Sequence, residues 1–217
     1  AQAAPTAVVD LQAVGLDTIK AQSDSLVVGA TVRLQALSDY LGAHGRDGDP
    51  TALLRRALRQ SGPNTYRNAA TLGGSIASRL PDSELLAALL VLDATLHFYN
   101  ADPQPLSAYL AAEAPAGLIT AVHIPWHIGD GDSQRVARTP ADDPIVSITA
   151  WLPDNGALRL AATGAQPRPQ RLSAAEAILS SGLSAETITA AAEAARAACA
   201  HPGDFRGDAG YRAEMAA

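Results

Sequence analysis

The chain has 217 residues, 47% hydrophobic and 18% charged, which supports a folded core and excludes wholesale disorder. A formal net charge of −6 argues against a nucleic-acid or anionic-membrane partner, since either needs a basic face. Cys199 is the single cysteine, so it makes no internal disulfide and cannot alone hold an iron–sulfur cluster or a structural zinc.

Aromatics are only 4% and alanine is abundant, which favours closely packed helices over a sandwich of large side chains. The opening "AQAAPTAVVDLQAVG" lacks the basic-then-apolar order of a signal peptide, and no apolar run is long enough to span a membrane. The expectation is a soluble, cytoplasmic protein. "TAVVDL" and "SLVVGA" read as β-strands, with a further short strand around Asp17 to Lys20. Thr31 is positioned to cap "VRLQALSDYLGAHG", where Leu34, Leu37 and Leu41 fall at helical spacing. Asp49-Pro50 reads as N-cap and first turn of "TALLRRALRQSG", ending at Gly62. "PDSELLAALLVLDA" predicts a helix from near Asp82 that is apolar on nearly all sides and therefore buried.

"TLHFYN" and "GLITAVHIP" follow as strands, and "WHIGDGDSQ" reads as a linker. Beyond it, "PIVSITAWLPDNGALRLAATGA" predicts two strands joined at Asn155-Gly156, whose positive dihedrals suit a tight hairpin. Ser173 with Glu176 has capping-box spacing, and Ser184 is placed to cap "AETITAAAEAARAACA" before Pro202-Gly203. "AGYRAEMAA" reads as a last helix. The order is α+β, a boundary near residue 128, then a hairpin and helices.

The five histidines lack the helical pairing or Cys/His clustering of a metal site, and His97 and His123 read as structural strand residues. There is no Gly-x-Ser-x-Gly elbow, no Gly-x-Gly-x-x-Gly unit and no Walker A loop, so hydrolase, kinase and nicotinamide-binding readings find no support. Trp126 reads as packing at the boundary, and Cys199 as a small buried residue. Asp204, Arg206, Tyr211 and Arg212 suit either a partner contact or a local ion-pair network on the terminal helix. "TLGGS", Thr71 to Ser75, has two readings. One is a tight turn ahead of the buried helix; the other is a nest of backbone N–H groups for an anion, with hydroxyls alongside.

"RNAATLGGSIASRLPDSELLAALLVLDA" resembles the second flavin-binding segment of the FAD subunit of molybdenum hydroxylases, the group of aerobic carbon monoxide dehydrogenase and xanthine dehydrogenase. "VVGATVRLQAL" is similar to the strand–turn–helix that precedes that segment, and "RVART" and "HPGDFRGDAGYRAEMAA" resemble the subunit's C-terminal domain. The resemblance implies an α+β chain of two parts. Residues 1–128 would be the second lobe of a vanillyl-oxidase/PCMH-type FAD-binding domain, and 129–217 a CO dehydrogenase flavoprotein C-terminal-like domain with an antiparallel sheet and helices. It implies FAD as cofactor, with Thr71, Leu72, Gly73, Gly74 and Ser75 along its pyrophosphate and ribityl region and Glu84 on a cofactor hydroxyl. Ile119 would approach the cofactor's apolar surface, and Arg135 would lie near the flavin. Ser75, Glu84 and Arg135 stand where the family carries asparagine, aspartate and often lysine. The family's first glycine-rich loop, of the Ala-Gly-Gly-Thr-Asp-Leu kind, is not found, which implies a fragment or a variant lacking half of the site.

The activity so implied is electron transfer in an oxidoreductase complex. Electrons would pass from iron–sulfur clusters of a 2Fe-2S small subunit, through FAD, to a quinone, NAD or oxygen. Substrate hydroxylation would occur at molybdopterin in a large subunit. No catalytic acid or base and no metal ligand is expected in this chain. The alternative is a flavin-free docking module for the same partners, and a stand-alone flavin oxidase is the third reading.

Overall fold

In "SLVVG" every second side chain is apolar and packed inward, so Leu26 and Val28 reach the core while their neighbours stay on the open face. The computed structural model describes residues 9–113 and 117–217. Strands β1 (Ile19–Ala21) and β2 (Ser25–Gly29) are followed by helices α1 (Leu34–His44), α2 (Thr51–Gln60), α3 (Asn64–Arg67), α4 (Leu72–Ser78) and α5 (Glu84–Val91). Then come β3 (Thr95–Phe98), β4 (Ala101–Pro105), α6 (Leu106–Ala111) and β5 (Ile119–Pro125). The five strands form one antiparallel sheet in the order β1-β2-β5-β3-β4. Val28, Val122 and Leu96 lie in register across it and are fully buried beneath the helices. On the opposite face the rings of His97 and His123 stack at 3.9 Å, and burial together with His97 lowers the His123 pKa.

The second sheet is β6 (Gly129–Val136), β7 (Val146–Pro153), β8 (Arg159–Thr163) and β9 (Gln170–Arg171), antiparallel in that order. Helices α7 (Ser173–Leu179) and α8 (Ala185–Ala198), a small hairpin of β10 (Gly203–Asp204) and β11 (Gly207–Asp208), and α9 (Ala209–Ala216) complete the described chain.

Helix α5 is the common element. Every residue from Glu84 to Val91 is buried, with α2 on one side and β7 and β8 on the other. Trp151 and Ala161 of the second sheet join the same apolar cluster as Leu85, Leu86 and Leu89. Arginines of the second sheet and the terminal hairpin bind both ends of this helix. Arg206 Nη1 reaches Asp82 Oδ2 at 2.9 Å near its start, while Arg159 and Arg171 donate to the carbonyls of Val91 and Leu90 at its end. Both also pair with Asp93, at 3.0 and 2.6 Å. Positive side chains on the last carbonyls satisfy groups that a helix end leaves open and suit its dipole.

Several expectations are revised. Thr31 does not cap α1: it lies in the turn after β2, and the helix starts at Leu34 with Arg33 as its N-cap. Asp49 is not the N-cap of α2, which is Pro50 without a side-chain capping bond; one residue earlier, Asp49 accepts the Thr51 N–H at 2.8 Å and the Trp126 indole N–H at 3.3 Å. Of "TAVVDL", Thr6–Val8 lie outside the described residues, and Val9 to Leu11 are not strand. "WHIGDGDSQ" is no linker beyond Ile128, because Gly129 onward forms an eight-residue ladder with β7. Its glycines seat the Trp151 ring: a Cβ on Gly131 would stand 2.6 Å from ring atom Cε3. The β7–β8 hairpin exists, but its loop is long, and neither Asn155 nor Gly156 has positive φ, so the tight primed turn is not the one used. Glu176 forms no capping box. Its Oε1 accepts the Leu160 N–H at 2.7 Å and the Arg171 Nε–H at 2.5 Å. Ser184 caps α8 as expected, in a reciprocal capping box with Thr187.

Candidate functional site

Thr71 sits at the N-cap of α4, its hydroxyl oxygen accepting the Gly74 N–H at 3.1 Å. "TLGGS" is thus the start of a helix rather than a tight turn. The Leu72 N–H donates to Val32 O at 2.9 Å and the Gly73 N–H to Ala30 O at 2.8 Å, while the Ser75 N–H goes to Thr71 O. From Leu72 to Ser75 every amide therefore has a partner within the protein, so the N–H nest is already occupied by the fold. The two glycines have different reasons. A Cβ on Gly73 would lie 2.7 Å from Ala30 Cβ and 2.9 Å from Ala30 O, so what approaches its backbone is the segment following β2. Gly74 is exposed, and a Cβ there would meet only Thr71 Oγ1, at 3.0 Å.

A cleft of about 860 Å³ runs beside the starts of α1 and α4, lined among others by Leu11, Asp17, Thr31, Arg33 and Thr71. A smaller cavity of about 230 Å³ shares Leu11, Thr31 and Thr71 with it and continues past Gly73, Gly74, Tyr109 and Ile119. Organic cofactors are held in pockets of roughly 300–1,000 Å³, so the cleft is of suitable size. Thr31 Oγ1 is buried there without a hydrogen-bond partner.

Ser75 and Glu84 line a separate, narrow cavity of about 50 Å³ together with Gln60, Tyr66, Asp82 and Asp143. Glu84 is 5% exposed, and both of its carboxylate oxygens lack hydrogen-bond partners, as do Ser75 Oγ and Gln60 Oε1. Arg135, on β6, brings its Nε to 3.6 Å from Glu84 Oε2, an ion-pair contact too long for a hydrogen bond. Burial raises the Glu84 pKa more than the Arg135 charge lowers it, with Asp143 adding to the rise.

The predicted residues thus fall into two groups around α4. Thr71, Gly73, Gly74 and Ile119 meet at one cavity, and Ser75 and Glu84 meet at the other, with Arg135 in contact with Glu84. Leu72 belongs to neither, for its side chain is fully buried in the core. Thr31, Arg33, Gln60 and Tyr66 were not anticipated as site residues. Thr31 carried a signal, a polar residue just after a β-strand, which was read as a helix cap. The Thr31 and Ser75 hydroxyls are able to donate to phosphate or polyol oxygens, whereas the Glu84 carboxylate and Gln60 Oε1 suit only a donor such as a ribityl or ribose hydroxyl. Among the described residues no group of three or more His, Cys, Asp or Glu converges on a metal position.

The model of the FAD binding domain in molybdopterin dehydrogenase matches residues 1–127, and that of the CO dehydrogenase flavoprotein C-terminal domain matches 154–217. The uncharacterized protein YgfM of Escherichia coli K12 is 31% identical over 164 residues, which are 76% of this chain and 60% of YgfM. The chain therefore spans about 60% of the length of that relative. The aldehyde oxidoreductase FAD-binding subunit PaoB of the same organism is 27% identical, over 87% of this chain and 77% of PaoB. Among solved structures, a chain of carbon monoxide dehydrogenase from Hydrogenophaga pseudoflava superposes with a TM-score of 0.81 at 24% identity. That superposition covers 93% of this chain and 74% of the other, and shows a shared fold.

Proposed function

Because this chain belongs to the family of FAD-binding subunits of molybdopterin dehydrogenases, we propose that it holds FAD along α4 and serves such an oxidoreductase as its electron-transfer subunit. The observation that carries the reading is the set of buried, unpartnered oxygens beside α4: Thr31 Oγ1, Ser75 Oγ and the Glu84 carboxylate. When bound, FAD would supply the redox chemistry for electron transfer between the iron–sulfur clusters of a 2Fe-2S subunit and an external acceptor, in a complex whose molybdopterin subunit would hydroxylate the substrate. The chain's own residues bind and orient. Thr71 and the open flank of Gly74 border the cofactor, and Ile119 with Tyr109 offers an apolar wall. Ser75 and Glu84 take up cofactor hydroxyls, and Arg135 holds the Glu84 carboxyl in place. Leu72 contributes by anchoring α4 in the core. No side chain here is assigned a proton-transfer step.

The committed amides of α4 favour a second reading, a docking module that binds the molybdopterin and iron–sulfur subunits without flavin. One experiment separates the two. The purified chain is titrated with FAD while fluorescence quenching is followed. Saturable binding at about micromolar FAD or tighter, weakened in Gly74→Val, supports the flavin reading. Absence of binding, together with retained capture of the partner subunits, supports the docking module.

A further inference from the structure

We propose, resting on the flavin reading above, that Arg33 is the cationic contact for the diphosphate of the cofactor, seated between the hydroxyls of Thr31 and Thr71. Thr31 lies in the turn that follows β2, closed by the Val32 N–H to Gly29 O bond at 3.1 Å, and Arg33 comes two residues later, with Val32 between them buried. An isolated antiparallel bridge sets Arg33 opposite Thr71, flanked by Leu34 N–H to Ala70 O at 3.0 Å and Leu72 N–H to Val32 O at 2.9 Å. Side chains opposite one another in such a bridge are neighbours. Thr31, Arg33 and Thr71 accordingly line the same cleft.

The chemistry of the three residues is complementary to a dianion. Arg33 is exposed, and its guanidinium has no ion-pair or hydrogen-bond partner among the described residues. It is the sole basic side chain lining the cleft. Thr31 Oγ1 is buried and unpartnered, and Thr71, which accepts from Gly74, keeps its O–H free to donate. Helix stability does not account for the arginine: it makes no capping hydrogen bond at α1 and puts positive charge at the positive end of the helix. With the amides at the start of α4 committed inside the fold, Arg33 is the positive charge beside that helix end, and a guanidinium meets phosphate oxygens two at a time. Asp10 and Asp17 line the same cleft and repel an anion, which confines the diphosphate to the Arg33 end.

The test compares the 217-residue chain with Arg33→Gln and Arg33→Lys, each checked by thermal melting. FAD and riboflavin are titrated by fluorescence quenching, and inorganic pyrophosphate by calorimetry. The expected result is a loss of roughly tenfold or more in FAD and pyrophosphate affinity for Arg33→Gln, with riboflavin affinity unchanged and partial recovery in Arg33→Lys. Equal FAD binding by wild type and Arg33→Gln overturns the assignment of Arg33 and leaves the flavin reading standing. Pyrophosphate binding that depends on Arg33, without FAD binding, keeps the anion site and removes the flavin reading. Binding of neither ligand overturns both.

Discussion

Gly73 and Gly74 are neighbours in sequence that answer to different constraints, and substitution separates them. Gly73→Ala drives a methyl group into Ala30 Cβ and O, atoms held by the backbone of the segment after β2. It is expected to cost about 1–3 kcal/mol in chemical denaturation, as overpacking does. Gly74→Ala meets only a threonine oxygen and gains helix propensity, so its stability should stay within about 1 kcal/mol of wild type while FAD affinity falls. Equal destabilisation of the two variants would contradict the packing account. Glu84 makes a second prediction at this scale. Its carboxyl is raised above the ordinary value of 4.5 by burial, so the folded state holds its proton more tightly than the unfolded chain. Its favourable contribution is therefore full below the unfolded pKa and is lost as pH rises through the folded value. Glu84→Gln, which keeps the neutral shape, should raise the melting temperature at pH near 7 relative to wild type, and the gain should vanish toward pH 4.

The terminal elements are joined by ions. Arg212 on α9 is 1% exposed and donates to Gly164 O at 2.8 Å, Gly207 O at 3.2 Å and Ile145 O, while its Nη2 pairs with Asp204 Oδ1 at 2.7 Å. Arg206 extends the network from Asp204 to Asp82 ahead of α5. This is the local ion-pair arrangement that the sequence allowed as one of two readings for these residues. Burial pushes the Asp204 carboxyl up, but hydrogen bonds and charge from Arg212 and the amides of Arg206 and Gly207 outweigh it and hold the group well below its ordinary 3.8. A depressed carboxyl stabilises above its unfolded pKa and loses that contribution as pH falls through the folded one. Asp204→Asn should therefore lower the melting temperature at neutral pH, with the difference from wild type shrinking as pH drops below 3.8. Arg212→Ala leaves a partly exposed carboxylate and two buried carbonyls without their partner, and a loss of about 3–5 kcal/mol is expected by denaturant titration.

At the scale of the molecule, the two sheets separate between Pro125 and Gly129, and Ile145, Val146, Ala162 and Leu172 form a second apolar cluster with the terminal helices, but the larger cluster crosses the boundary. Helix α5 belongs to the first segment, yet it is buried against β7 and β8 of the second, with Trp151 and Ala161 inside its cluster. A protein cut to residues 1–128 exposes one long side of an apolar helix and frees Asp82, Glu84 and Asp93 from their arginines. It should bind a hydrophobic dye and lack a cooperative thermal transition, whereas the 217-residue chain should melt in a single step. Independent, cooperative folding of 1–128 would show that the second sheet is dispensable for burying α5. Among the described residues no helix is long and apolar enough to cross a membrane.

Local pattern determined much of this protein by itself: the apolar face of α1, the complete burial of α5, the Ser184 cap and the inward rows of β2 and β5 follow from spacing alone. The order of motifs was also enough to suggest the family. What spacing could not decide were partners distant in sequence. Gly73 is small because of Ala30, Gly131 because of Trp151, and Glu176 left its capping box for Leu160 and Arg171. Strand β6 is polar, and its cross-strand hydrogen bonds leave no periodic apolar trace to read. The candidate site was legible as a segment and not as a surface. Packing spent the amides of α4 inside the fold, sent Leu72 to the core and turned Thr31 and Arg33 toward the cleft, since each polar group takes the partner that tertiary contact brings nearest.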